Sequence, residues 1–84
     1  MTEKEFNKLK LAERYNLLKE KGEYIASRFF ESFNVHLFAL NGVYVEMWMR
    51  IGIEQIVWIE LMKNKETLNF YIHNINPKKD LGLP

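Results

Sequence analysis

The chain has 84 residues, 48% hydrophobic, 14% aromatic and 27% charged, with a net charge of +1 and no cysteine. These figures exclude a disordered chain and two separate cores, and they leave no disulfide, thiol nucleophile or thiolate metal site. A domain this small buries only about 60–65% of the surface its unfolded chain exposes, so self-association is a common remedy where disulfides and metals are lacking.

Residues Met1 to Phe6 lack the apolar run of a secretory signal. No window reaches the ~18 apolar residues of a spanning helix. The expectation is one cytoplasmic domain over residues 1–84 with no membrane contact. Its expected parts are a helical stretch (1–22), a meander (23–62), a short helix (63–76) and a tail (77–84).

Thr2-Glu3-Lys4-Glu5 fits a capping box, with the Thr2 hydroxyl accepting from the Glu5 N–H and the Glu5 carboxylate reaching back. Good helix formers continue to Lys21. Phe6 and Leu9 fall on one face and Leu11, Tyr15 and Leu18 on another, which predicts a short opening turn, a bend near Leu9-Lys10, and a longer helix. Gly22, after Lys19 and Lys21, is placed to cap that helix.

From Tyr24 onward β-branched and aromatic residues alternate with period two. Four strands are predicted: about Glu23–Phe30, Phe33–Leu40, Val43–Met49 and Ile53–Met62. Asn41-Gly42 suits a two-residue type I′ turn, since both residues tolerate positive φ. Glu31-Ser32 is a weaker turn signal, and Gly52 is expected to end a three-residue loop. Short connections throughout make an antiparallel meander.

After Lys63-Asn64-Lys65, the residues Leu68, Tyr71, Ile72 and Ile75 fit helical spacing, while Leu68, Phe70 and Ile72 also fit a strand. The favoured reading is a short helix capped by Asn64 and ended before Pro77, with a fifth strand as the alternative. The fold class is therefore α+β: an N-terminal helix, a four-stranded antiparallel meander and a short C-terminal helix.

The expected register makes both faces of the sheet apolar. One face gathers Ile25, Phe29, Phe38, Leu40, Val43, Val45, Met47, Val57 and Ile59 and suits the helix. The other gathers Phe30, Phe33, Val35, Leu37, Ala39, Tyr44, Trp48, Ile56 and Trp58, with Arg28, Glu46 and Glu60 among them. An antiparallel sheet with one wet face alternates more cleanly than this, and monomers seldom expose so large an apolar patch. Three covers are open: the C-terminal segment, a symmetric second copy, or a ligand or other protein. The second copy leads, because twofold dimers are the commonest oligomers. The interface candidates are Phe33, Val35, Leu37, Tyr44, Trp48, Ile56 and Trp58.

Little else suggests chemistry. His36 and His73 have no metal-ligand spacing around them. Glu46 and Glu60 are able to converge on one sheet face as an acid–base pair, although strand carboxylates near Arg28 and Arg50 more often pair or face water. No nucleophile elbow and no phosphate-cradling glycine loop is present. Residues 24–62 carry Arg28 and Arg50 against four glutamates, too few cations around the aromatics for nucleic acid. No catalytic residue, cofactor or metal is assigned.

Leu17 to Gly22, Arg28-Phe29-Phe30, Asn34-Val35-His36-Leu37, Leu40 to Glu46 and Ile59-Glu60-Leu61 together resemble a group of small bacterial proteins. The likeness spans residues 6–75. It implies a leading helix, a four-strand meander and a short final helical segment; the group has no assigned activity, so no functional residue is carried over. The expected role is a non-enzymatic module that self-associates as a homodimer through its aromatic sheet face, with binding of a small apolar ligand as the alternative.

Overall fold

In the computed structural model, residues 2–74 are described. The elements are α1 (Glu3–Asn7), α2 (Leu11–Lys21), β1 (Glu23–Phe30), β2 (Phe33–Leu40), β3 (Val43–Arg50), β4 (Gln55–Leu61) and a 3-10 helix (Lys65–Asn74). Order along the sheet is β1-β2-β3-β4, all neighbours antiparallel. The α+β meander between helical ends is the one the sequence predicts.

The capping box at Thr2 is formed: the Glu5 N–H donates to Thr2 Oγ1 at 3.1 Å, and the Thr2 N–H donates to Glu5 Oε1 at 2.9 Å. The Thr2 N–H, and after it the Thr2 hydroxyl donating to the same Glu5 Oε1 at 3.3 Å, hold the Glu5 carboxyl below its ordinary pKa. The break between α1 and α2 falls at residues 8–10, and the Lys10 N–H is met by Glu13 Oε1 at 2.7 Å. Tyr15 is exposed rather than inward, while Arg14 and Leu17 take inner positions beside Leu11 and Leu18. Gly22 caps α2 with φ −77, so left-handed geometry is not why glycine suits the site. A Cβ there would lie 2.7 Å from the Leu18 carbonyl oxygen.

Both two-residue hairpin turns form. Asn41 and Gly42 carry φ of 48 and 85, as a type I′ turn requires, and Glu31 carries 53. The β3–β4 connection departs from expectation. It has four residues, 51–54, with Arg50 opposite Gln55 and positive φ at both Gly52 and Glu54. Val45 consequently pairs with Leu61 and not with Val57, and Met47 rather than Val43 faces Ile59. A bulge between the Trp48–Trp58 and Met49–Ile56 pairs leaves Val57 exposed and turns Ile56 to the helix side. A second bulge takes Ile25 out of register.

Helices α1 and α2 pack on one face, over a core of Phe6, Leu18, Leu40, Val45, Met47 and Ile59. The 3-10 helix crosses the other face, where Tyr71 packs on Ala26 and Leu37. Asn64 opens it as expected, its Oδ1 accepting from the Glu66 N–H at 2.9 Å. Pro77 and the expected tail over 77–84 lie outside the described residues. No helix among the described residues is long and apolar enough to cross a membrane.

Candidate functional site

The face under the 3-10 helix has a charged centre. Pleating sends Arg28 of β1 and Glu46 of β3 to the same side of the sheet, flanking Val35 and Leu37 of β2. Glu46 Oε2 accepts from Arg28 Nη2 at 3.1 Å and from the Tyr71 hydroxyl at 2.6 Å. All three residues are buried. Burial, reinforced by the hydrogen bond to the Glu46 carboxylate, pushes the Tyr71 phenol well above its ordinary pKa, so the hydroxyl remains a donor.

Rings surround the guanidinium. Its carbon lies 5.2 Å from the centroid of Phe70, 5.3 Å from Tyr71, 5.5 Å from Trp48 and 5.8 Å from Phe30. Phe30 and Phe33 each meet Trp48 edge to face, at 5.9 and 5.7 Å. Arg28 Nε and Trp48 Nε1 are buried without a hydrogen-bond partner among the described residues.

The seven interface candidates are divided by this arrangement. Val35 and Leu37 are wholly buried, with the 3-10 helix packed on Leu37 through Tyr71. Tyr44 is half-buried beside that cluster. Phe33 and Trp48 are half-buried in the ring cluster. Ile56 belongs to the helix-side core. Trp58 is partly exposed on the edge strand, its ring 4.5 Å from the Arg14 guanidinium carbon.

Glu46 and Glu60 do converge as cross-strand partners, lining a cavity of about 280 Å³ with Lys63, Asn64 and Thr67. Glu46 already holds two donors on one oxygen, which ties that carboxylate to the fold. Among the described residues, no three His, Asp or Glu side chains gather as metal ligands. His36 is hydrogen-bonded at Nδ1 to the Tyr24 hydroxyl, 3.0 Å away, and burial keeps its pKa below the ordinary 6.5.

Two further residues organise the molecule and escape sequence reasoning. Tyr71 fits the helical spacing but gives no sign that its hydroxyl seeks Glu46. Arg14 stands three residues after Leu11 and four before Leu18, on the apolar stripe itself, and that spacing is the signal that could have found it. Comparison with known protein families, curated proteins and solved structures found no match to this chain.

Proposed function

We propose that this protein is a non-enzymatic interaction module that pairs with a second copy of itself through the ring cluster beside the 3-10 helix. One observation carries the reading: of four rings packed together around Arg28 and Trp48, the outer two, Phe30 and Phe70, are 45% and 61% exposed. Large rings clustered in this way are characteristic of interface centres. The surface lies at one margin of the sheet face, because the protein's own helix fills the middle. A twofold axis through the cluster sets Phe30 and Phe70 of one copy against those of the other and lets each copy bury what the other exposes. The cysteine-free chain suits the cytoplasm.

Sedimentation equilibrium of the full chain over a wide concentration range tests the reading. The expected result is a reversible dimer that Phe70→Glu weakens at least tenfold while the far-ultraviolet spectrum stays unchanged, Phe70 being an exposed side chain. A wild-type chain that keeps a single-chain mass at every concentration overturns it.

A further inference from the structure

The helix side of β1 and β2 carries a pair of side chains that core packing does not call for. Tyr24 stands opposite Phe38 in the β1–β2 register, and His36 lies two positions along β2 from Phe38, on the same side of the sheet. The Tyr24 ring meets Phe38 edge to face at 5.3 Å and His36 at a tilt at 5.6 Å, which carries its hydroxyl to 3.0 Å from His36 Nδ1. Tyr24 is 53% exposed, and water satisfies such a phenol equally well. His36 is half-buried on an interior strand, and burial keeps it neutral at pH 7.

All four tyrosines of the chain lie among the described residues, and Tyr24 differs from the other three. Tyr71 is buried, and its hydroxyl donates to Glu46. Tyr15 is 39% exposed and Tyr44 half-buried, and neither hydroxyl bonds to a described residue. Tyr24 alone combines open access with a base within hydrogen-bond reach of its phenol, the two properties an activated nucleophile needs.

The surroundings narrow the class of reagent. His36 borders a cavity of about 390 Å³ whose walls include Phe29, Met49 and Ile51, with Arg50 and Glu54 offsetting each other's charge. The phenol oxygen therefore stands 3.0 Å from a residue of that lining. Three apolar walls suit a hydrocarbon chain. We propose that Tyr24 is a modification site: a nucleophile that takes the acyl group of an ester or thioester with an apolar chain, with His36 as its base. The phenolic oxygen bonds to the acyl carbonyl carbon while its proton passes to His36 Nδ1. The bond from that carbon to the leaving oxygen or sulfur then breaks, and the imidazolium returns the proton to the leaving group. The products are an acyl ester on Tyr24 and a free alcohol or thiol. The site is separate from the ring cluster and does not depend on self-association.

The test treats the full chain at neutral pH with p-nitrophenyl acetate or p-nitrophenyl hexanoate and reads the rate at each tyrosine by peptide mass spectrometry. Exposure alone, 53% against 39%, predicts similar rates at Tyr24 and Tyr15. The expected result is acylation of Tyr24 at least tenfold faster than of Tyr15, with the hexanoate preferred at Tyr24 relative to Tyr15. His36→Gln is expected to slow Tyr24 at least tenfold and to leave Tyr15 unchanged, while buried Tyr71 stays protected as the sign of a folded variant. Nitrogen-15 shifts of the wild-type imidazole are expected to place the proton on Nε2, leaving Nδ1 to accept. Equal rates at Tyr24 and Tyr15, or a proton resident on Nδ1, overturn the site, and these wild-type measurements decide alone if His36→Gln unprotects Tyr71. An unchanged Tyr24 rate in folded His36→Gln overturns the role of the base. No preference for the hexanoate at Tyr24 overturns the class of donor.

Discussion

Each side of the sheet is organised around a buried arginine, and the two are held in opposite ways. On the helix side, Arg14 donates only to backbone: Nε to the Leu9 carbonyl at 3.0 Å, Nη1 to Ile59 at 2.6 Å and Nη2 to Asn7 at 3.3 Å. Its guanidinium carbon sits 4.9 Å from the Phe6 ring centroid and 4.5 Å from that of Trp58. Among the described residues no carboxylate lies within ion-pairing distance of it. On the other side, Arg28 is matched to the Glu46 carboxylate, which also accepts from the Tyr71 hydroxyl. The contrast separates two uses of one side chain. Arg14 gathers carbonyl groups around the α1–α2 break and on the edge strand. Arg28 and Glu46 chiefly compensate each other, and the desolvation of such a pair offsets much of its attraction.

The comparison is most exposed at Glu46. Glu46→Leu strands Arg28 and is expected to cost about 3–5 kcal/mol in urea unfolding. The double variant Arg28→Met/Glu46→Leu is expected to recover most of that loss, as matched apolar replacements of buried pairs often do. A harmless single change, or a double change no better than the single, breaks the contrast. Arg14→Met ranks next, at about 2–3 kcal/mol, because it leaves carbonyl groups from three places in the chain without their donor. No single second change should rescue it, since its partners are backbone.

The smallest effect is a pH dependence on the helix side. The folded His36 pKa lies below 6.5, so the unfolded chain takes up the proton first. Stability from this group is complete above pH 6.5 and is lost as pH falls through the lowered folded value. His36→Gln is expected to flatten that part of the stability profile, measured by urea unfolding at several pH values.

Local chemistry explains which parts of the fold could be read in advance. The Thr2 capping box, the break before Leu11 and the Asn41-Gly42 turn each depend on residues within a few positions of one another, and each forms as expected. The β3–β4 loop was legible at Gly52 alone. Glu54 also takes positive φ, a conformation its side chain does not advertise, and that fourth loop residue shifts the whole pairing. Which segment covers the second face was not legible, because the burial of Tyr71 depends on side chains from β1 and β3 that meet only after the sheet closes. The candidate residues Phe33 and Trp48 reach the ring cluster, but the exposure of Phe70 beside them follows from the path of the 3-10 helix.

The bond from Arg14 to Ile59 reaches past the fastening of a helix. It occupies a carbonyl on the outer side of β4, where α1 and α2 also crowd the strand. A ribbon stoppered along one border can be lengthened only from the other. Closing that border removes one of the two edges from which a sheet grows into a fibril.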